Sequence, residues 1–475
     1  MKQTIVVAVL FVVSVVLAIS ANVPAAADGP TATTSAPVAA NVTVADPGPR
    51  GGPIGAGGFI PNINAAVLAG AQDGATRFAE LETFPGGLGP LYNSGPNGAC
   101  SECHAQPAMG GSSPAANAYP HIGQNPQATV DYSAGGANNV IPSFITPSGP
   151  VREMRLKYSR NANGSLNLNE PDGGVHDLYS VTGRSDAGTC QIAQPNFAQE
   201  LASNNAVFRI PTPTYGDGLI EGIDDTTILT NQTANPAIKA KMGISGHVNR
   251  SGNDGTITRF GWKAQNKSLL MFAGEAYNVE DGVTNELFTT QRPEPGHSLP
   301  PGCRTNKNPE DTSNPGMTGP AVNSDITAFA SFMRMLDQPK PAPPTASTVR
   351  GLAVFALAGC ALCHTPSMTT ATSTFDPALS NVQANLFSDL LVHNMGTGLA
   401  DGVSQGNANG QEFRTAPLWG LGQRVFFLHD GRTSDLVQAI RAHASSGSEA
   451  NSSITLFNNM PASAQQDLLN FLRSL

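Results

Sequence analysis

The sequence predicts a mainly α protein of two modules, the first of which is enlarged by a long loop-rich insertion. A CxxCH pentapeptide occurs twice, in "ACSECHA" at 99–105 and in "GCALCHT" at 359–365. Segments with a helical spacing of apolar residues border the second copy and follow the first. The 475 residues include 50 glycines and 37 prolines, which indicates long irregular connections between modest helices.

Composition limits both the setting and the partners of the chain. Hydrophobic residues make up 40% of it, enough to bury two or three ordinary cores. Only 13% of the residues are charged and the formal net charge is −9, so no basic patch favours nucleic acid or an anionic membrane. We therefore expect a folded protein with no nucleic-acid partner.

The first residues, 1–27, predict a signal peptide. Lys2 provides the positive start, an almost unbroken apolar run follows from Thr4 to Ile19, and small residues come next. We expect a periplasmic or secreted protein; the alternative is an uncleaved anchor that holds the chain on a membrane. Residues 28–84, rich in Ala, Pro and Gly, predict a flexible linker.

The two CxxCH motifs predict two covalently attached haem c groups. Paired cysteines in an exported chain are also compatible with a redox-active pair or half of a zinc site, but the histidine directly after each pair favours haem attachment. Each thiol then carries one haem vinyl group as a thioether, and each histidine is the proximal iron ligand. The residues concerned are Cys100, Cys103 and His104 in the first motif and Cys360, Cys363 and His364 in the second.

A helix is predicted directly before the second motif, in "STVRGLAVFALAGC". Leu352, Phe355 and Ala356 fall on one helical face, and Gly351 is small enough for close packing. Gly359 is expected to end the helix.

A second helix is predicted at the C-terminus, in "SAQQDLLNFLRSL". Ser463 and Gln466 have the spacing of a capping box. The apolar stripe that follows consists of Leu468, Phe471, Leu472 and Leu475. We expect this helix to cross the one before the second motif over the haem edge, as in class I c-type cytochromes, although two unrelated core helices would show the same pattern.

A similar helix closes the first half of the chain, in "SDITAFASFMRMLDQ". Its stripe consists of Ile326, Phe329, Met333 and Leu336, with Phe332 beside them. The Pro-rich segment "QPKPAPPTAS" follows it as a linker. The predicted architecture is therefore two class I cytochrome c-like haem domains, at 85–338 and 345–475, the first containing an insertion at about 125–320.

Several segments carry a family resemblance. The run "EFRTAPLWGLGQRVFFLHDGRTSDLVQAIRAH" at 412–443 resembles bacterial di-haem cytochrome c peroxidases and methylamine-dehydrogenase maturation enzymes. From about Leu88 onward the chain is most similar to the di-haem oxidoreductase family formerly labelled thiol oxidoreductase-like. The segments that carry this likeness are "CSECHAQPAMGGSSP", "GPVREMRL", "IPTPTYGDGLIEGIDD", "GHVNR", "RFGWKAQ" and "FSDLLVHNMGTGLAD".

The resemblance implies a distal ligand for each iron. In such peroxidases the ligand of the second haem follows the histidine of "HDG" by fourteen residues, usually as methionine; from His429 this count reaches His443. A bis-histidine iron would have a lower potential than a His/Met iron. Met395 is the competing candidate. For the first haem, His121 is seventeen residues after His104 and stands close to the place of a removable distal histidine.

Other candidate residues follow from the chemistry of their side chains or, for His429 and the two tryptophans, from the same resemblance. Arg414 would pair with a haem propionate, although a solvated arginine is the alternative. His429 fits a structural or propionate-binding position. Trp262 or Trp419 would relay electrons between the haems, with core packing as the other interpretation of either tryptophan. Glu221 is the candidate acid–base group for peroxide, because the apolar Leu219 and Ile220 precede it and burial would raise its pKa.

The two remaining cysteines, Cys190 and Cys303, lie in the predicted insertion. A disulfide is the simplest interpretation for an exported chain, and two free thiols or a redox-active pair are the alternatives.

Three functions agree with these features. The first is a periplasmic di-haem oxidoreductase that takes electrons from a small redox protein or other donor and reduces peroxide or another small oxidant. The second is a di-haem electron-transfer protein without chemistry of its own, and the third is haem-dependent oxidation of a protein or thiol. The peroxidase resemblance also implies a calcium ion between the haems, for which the sequence indicates no position.

Overall fold

The computed structural model of the chain describes residues 43–95, 98–113, 125–130, 139–293, 298–303 and 308–475. These belong to one compact unit, Thr43–Leu475. The predicted signal peptide and His121 lie outside the described residues.

Helices form the larger part of the regular structure. In chain order they are α1 Ala65–Phe78, α2 Cys100–Cys103, α3 Phe197–Ala202, α4 Asp217–Gly222, α5 Asp225–Gln232, α6 Pro236–Met242, α7 Leu269–Glu280, α8 Asp325–Met335, α9 Ala346–Leu357, α10 Gly396–Leu399, α11 Leu436–Ala442, α12 Asn451–Asn459 and α13 Ala462–Leu472.

The strands are short and lie mostly between α2 and α8. They are β1 Leu91–Tyr92, β2 Glu153–Leu156, β3 Tyr158–Arg160, β4 Leu166–Pro171, β5 Val175–His176, β6 Tyr179–Ser180, β7 Ala206–Arg209, β8 Asn249–Arg250, β9 Ile257–Thr258, β10 Met368–Thr369, β11 Gln383–Ala384, β12 Val392–Asn394 and β13 Glu412–Arg414. Within the described ranges they pair as the antiparallel sheet β5-β2-β7 and as the two-stranded sheets β1-β6, β3-β4, β8-β9, β10-β11 and β12-β13. The prediction of a helical protein is thus confirmed in its coarse form, with small sheets added.

The helix before the second motif packs against the C-terminal helix. Gly351 of α9 permits this, because a methyl group there would overlap the carbonyl oxygen of Asp467 in α13. The predicted inner face is confirmed for Phe355 but wrong for Leu352: Gly351, Val354 and Phe355 are buried, whereas Leu352 is 43% exposed. Since the glycine must face the partner helix for the axes to approach, Leu352 and Ala356 turn outward.

The end of α9 and the stripe of α13 follow the prediction. Gly359, just after α9, has a left-handed backbone with φ +80°, and Leu468, Phe471, Leu472 and Leu475 are buried. The predicted capping box was wrong. Pro461 stands at the N-cap and α13 begins at Ala462, so Ser463 already lies inside the first turn.

A second helix pair belongs to the first half of the chain. The predicted stripe of α8 is confirmed, since Ile326, Phe329, Phe332, Met333 and Leu336 are all buried. This helix packs against α1.

The α1 helix overturns part of the predicted linker at 28–84. Asn64 caps it by accepting a hydrogen bond from the backbone of Ala66, and its buried face consists of Ala71, Gly74 and Phe78. A methyl group on Gly74 would overlap the carbonyl of Ala328 in α8. Because this face is built from small residues, its composition resembles that of a linker although it packs like a core helix.

A disulfide between Cys190 and Cys303, with an S–S distance of 2.00 Å, closes the predicted insertion. Both cysteines are buried in a hydrophobic cluster with Leu88, Tyr92 and Tyr179. The expected disulfide is therefore confirmed, and the cluster around it includes Leu88 and Tyr92 from the segment that precedes the first motif.

Candidate functional site

Two cavities lie beside the two CxxCH motifs. The first cavity is lined by Cys100, Cys103 and His104 together with residues of the predicted insertion. The second cavity is lined by the corresponding residues of the second motif and by residues 393–472 of the C-terminal half. All residues predicted for haem attachment thus face a cavity; their role stays a prediction.

The two motif histidines are oriented in the same way. Nδ1 of His104 lies 3.1 Å from the carbonyl oxygen of Gly111, and Nδ1 of His364 lies 2.9 Å from that of Phe387. A carbonyl only accepts, so Nδ1 carries the proton and Nε2 is the nitrogen with a lone pair. Burial lowers the pKa of each imidazole to about 4. Both rings are therefore neutral, as an iron ligand must be.

Each histidine also meets a phenylalanine of the preceding helix. The ring of Phe78 in α1 lies 5.9 Å from that of His104, and the ring of Phe355 in α9 lies 6.3 Å from that of His364. The carbonyl that orients His364 belongs to Phe387, whose φ is +51°. This conformation costs a bulky residue about 1–3 kcal/mol, which the surrounding packing must offset.

None of the four motif cysteines forms a disulfide within the described residues. Burial raises the pKa of the Cys100 and Cys103 thiols well above the usual range of a cysteine. Nearby carboxylates such as Asp281 and Glu102 raise the pKa further. Burial raises the pKa of Cys360 to about 12. Zinc binding and thiol exchange both need a thiolate, whereas a thioether is neutral. The environment of these sulfur atoms therefore fits haem attachment better than either alternative.

Both candidates for the distal position of the second motif line the second cavity. His443 follows the end of α11, and its Nδ1 lies 2.8 Å from the carbonyl of Ala439, which leaves Nε2 free. Burial lowers the pKa of His443, and its proximity also lowers that of His364. Met395 packs against Trp262 and Phe413. Both candidates thus face the cavity of the second motif, and the choice of His443 over Met395 stays a prediction.

Trp262 lines both cavities. Its Nε1 donates a hydrogen bond of 2.8 Å to the carbonyl of Ile210, which fixes the indole in the shared wall. Trp419 lines neither cavity and instead packs against Gly216 inside the largest hydrophobic cluster. Trp419 therefore has the core-packing position that was its other interpretation, and it stands outside the walls of both cavities.

Two arginines stand in the wall of the second cavity. Arg414 is buried, donates from Nη1 to the carbonyl of Arg259 at 2.8 Å, and has no partner for Nε among the described residues. The guanidinium of Arg424 lies 5.9 Å from the ring of Trp262. Burial lowers the pKa of each to about 10, so both remain charged at neutral pH.

The first cavity has its own cations, which sequence reasoning missed. The sheet β5-β2-β7 brings Arg155 and Arg209 to this cavity, with Arg209 directly opposite Glu153, and Arg152 just precedes β2. In the described part of the chain, Nε of Arg152 and Nε of Arg209 are buried without a hydrogen-bond partner. The alternation of side chains in "REMR" predicts a strand. The local sequence does not indicate that this strand pairs with β7, about 55 residues further along the chain.

Glu221 does not line either cavity. It pairs with Arg334 of α8 at 2.6 Å and accepts a hydrogen bond of 2.9 Å from the backbone of Leu269. The predicted catalytic role was therefore wrong, because the carboxylate joins α4, α7 and α8. The carboxylates that do line the first cavity are Glu153, Glu280 and Asp281.

Two further histidines line the second cavity. His429 stacks on Phe413 with ring centres 4.2 Å apart, and burial lowers its pKa to about 4. His393 is buried between Asp389 at 2.9 Å and Glu449 at 2.7 Å. Ligand atoms of Cys363, Asp389 and His393 lie within 4.8 Å of one another. Because both nitrogens of His393 are hydrogen-bonded, this ring is not free to bind iron.

Throughout the ranges that the structure describes, no helix combines the length and the apolar character needed to cross a membrane.

Comparison with known proteins identifies one family. The model described as "Di-haem oxidoreductase, putative peroxidase" matches residues 153–475. No curated protein matches the chain.

The solved structures that match the chain include the following two. Hydrazine synthase of Kuenenia stuttgartiensis, pressurised with 20 bar xenon, is 20% identical over 34% of this chain and 59% of that one, with a TM-score of 0.22. A MauG-like protein associated with microbial copper homeostasis is 15% identical over 53% of this chain and 89% of that one, with a TM-score of 0.27. The present chain thus spans about three fifths of the hydrazine synthase chain that it matches.

Proposed function

This chain belongs to the di-haem oxidoreductase family, and from that premise we propose that it moves electrons between two covalently held haems and reduces peroxide at the first. The observation that carries the proposal is the position of Trp262 in the walls of both cavities. An aromatic side chain shared by two redox sites shortens the path between them. The second site would accept electrons from a small redox protein, and the first would deliver them to the oxidant.

The residues of each cavity fit a haem. Thioether bonds would form at the two cysteines of each motif, with His104 and His364 as proximal ligands. The unpartnered Nε atoms of Arg152, Arg209 and Arg414 suit propionate carboxylates, which would satisfy them. Each bound haem would supply a one-electron redox centre and, where a coordination position is open, a site for peroxide.

Reduction of peroxide consumes two electrons and two protons and releases two molecules of water. The first cavity supports this assignment because Glu153, Glu280 and Asp281 line it. Within the described residues, the second cavity is lined by one glutamate, Glu449, and by no aspartate. Glu153 and Glu280 take the place that sequence reasoning gave to Glu221, whereas Asp281 lies beside Sγ of Cys100. His121, outside the described residues, remains the candidate for a removable ligand at this site.

A second function, electron relay without catalysis, is favoured by one observation. His443 lines the second cavity with its Nε2 free, which suits a permanently six-coordinate iron. A fixed set of ligands needs little rearrangement when an electron arrives. If His121 also stayed bound in every redox state, relay would be the better account.

We also propose a periplasmic or secreted location. The predicted signal peptide and the Cys190–Cys303 disulfide both support it, since disulfides persist in oxidising compartments.

The number of covalent haems tests the cofactor assignment. The wild-type chain is expected to retain two haems after acidified organic extraction, because thioether bonds survive it, and Cys360→Ser/Cys363→Ser is expected to retain one. Pyridine haemochrome absorbance per chain measures this. Ser101→Ala, at an intervening position of the first motif, is the matched control and should retain two. Complete loss of haem to the solvent from wild type, or zinc in its place, would contradict the assignment.

Peroxide turnover separates enzyme from relay. Protein that has received one electron per chain is expected to bind cyanide and to reduce peroxide with a reduced cytochrome donor, whereas fully oxidised protein is not. His121→Ala should remove the need for prior reduction, because it leaves the first iron open from the start. Low-spin spectra in every redox state, with no cyanide binding and no turnover, would favour the relay.

A further inference from the structure

Buried carboxyl groups crowd the sulfur side of the first motif. Oδ2 of Asp281 lies 3.9 Å from Sγ of Cys100. Asp281 is only 1% exposed, and its Oδ1 has no hydrogen-bond partner among the described residues. Burial raises the pKa of this carboxyl group well above its usual range. A permanent negative charge is therefore costly here in the absence of a neighbouring positive charge.

Glu82 is close enough to raise the pKa of this carboxyl group electrostatically, and it has a path towards solvent. Its Oε1 accepts a hydrogen bond of 2.7 Å from the hydroxyl of Tyr277, which also lies 3.4 Å from Oδ2 of Asp325. Asp325 is partly exposed and pairs with Arg77 at 2.8 Å. Burial raises the pKa of Glu82 to about 7; Tyr277 opposes the rise and Asp325 adds to it. The chain Asp325–Tyr277–Glu82 thus connects the surface with the sulfur side of the first motif.

The charged groups around the pair are mostly acidic. Glu82 and Asp281 repel each other, so the first proton taken up is shared between them. The other titratable groups that face them are Glu80, Glu102, Tyr277, Glu280, Asp311 and Asp325.

The second motif has a different neighbour. Sγ of Cys363 lies 3.7 Å from Nδ1 of His393, an imidazole hydrogen-bonded between Asp389 and Glu449. Burial would lower the pKa of His393, but Asp389 holds it well above its usual range. A cation held between two carboxylates keeps its proton across neutral pH. The two sites therefore differ in how readily a neighbouring group can change its charge.

We propose that Asp281 and Glu82 form a redox-linked proton site at the sulfur side of the first haem site. The pair takes up one proton from water when the adjacent haem gains one electron from an external one-electron donor. The inference rests on the proposed haem attachment at Cys100. Oxidised haem carries a positive charge that stabilises a nearby carboxylate, and the added electron removes that charge, so the proton affinity of the pair increases.

Such a site would deepen the proposed function. One electron and one proton enter together, so the net charge of the buried region does not change. Peroxide reduction needs equal numbers of electrons and protons. A proton stored beside the first haem site is available at the site where peroxide would be reduced. Asp281 and Glu82 act here as positioning residues for protons and do not contact the substrate.

The reduction potentials of the holoprotein test this directly between pH 5 and 9. One proton per electron converts to a slope of about 59 mV per pH unit for a one-electron couple. In the wild type, we expect the reduction potential of one haem to fall as the pH rises, with a slope approaching this value around neutral pH. The potential of the other haem should depend less on pH. Glu82→Gln/Asp281→Asn should flatten the steep couple. Glu170→Gln, an exposed acid outside both cavities, should leave both couples unchanged.

A second measurement needs no variant. Reduction of both haems of wild-type protein in weakly buffered solution near pH 7 should take up close to one proton, which an indicator dye reports. Two pH-independent potentials, or a steep couple that the double variant leaves unchanged, would overturn the inference even if the protein reduces peroxide. A chain without haem would overturn the proposed function and the inference with it.

Discussion

Replacing Trp262 by phenylalanine is expected to slow electron transfer between the two haem sites at least about tenfold, which corresponds to about 1.4 kcal/mol in activation free energy. The reason is geometric, since Trp262 lines both cavities and its indole is fixed by the hydrogen bond to the carbonyl of Ile210. Phenylalanine keeps most of the apolar packing but lacks the second ring and the Nε1 donor. Rapid mixing with a reduced donor, followed by optical spectra of both haems, measures the rate.

Trp419→Phe is the matched control. Trp419 is as deeply buried as Trp262, but it packs in the core against Gly216 and lines neither cavity. Its replacement is expected to lower stability without changing the rate of transfer. Two results would mean that the indole of Trp262 is not the path of electron transfer. One is an equal transfer rate in wild type and Trp262→Phe, and the other is an equal loss of transfer rate in Trp262→Phe and Trp419→Phe.

Removing the disulfide is expected to have the largest effect on stability. Cys190 and Cys303 are separated by 113 residues, and the chain-entropy model gives roughly 4 to 5 kcal/mol for closing a loop of that length. We expect Cys190→Ala/Cys303→Ala to lower the free energy of unfolding by about this amount. Denaturant unfolding followed by fluorescence measures the change. Both cysteines are replaced together so that no free thiol remains.

The location of the loss is also testable. The disulfide lies in the cluster that contains Leu88 and Tyr92, just before the first motif, whereas the second motif belongs to a different cluster. The first haem site should therefore loosen before the second, which the order of spectral changes during unfolding would show. Reduction of the wild type by a thiol reagent provides the comparison without mutation. A decrease in the free energy of unfolding of less than about 1 kcal/mol in Cys190→Ala/Cys303→Ala would mean that structure in the unfolded state cancels the entropic gain from the disulfide.

The sequence by itself determined those features in which neighbours along the chain decide the outcome. The two CxxCH motifs, the stripes of α8 and α13 and the left-handed Gly359 are all local patterns. Family membership also followed from contiguous segments such as 412–443. The disulfide was predictable because only two cysteines remained outside the motifs.

Only the tertiary structure decided which residues meet across long separations. It distinguished Trp262 from Trp419, and it removed Glu221 from the site because Arg334 holds it elsewhere. It also showed that α1 is a core helix. The small residues of α1 allow it to pack closely against α8, although the same composition is typical of a linker. The physical reason is common to all three: burial and pairing depend on partners about 50 to 250 residues away, and a residue's type and its local spacing do not specify those partners.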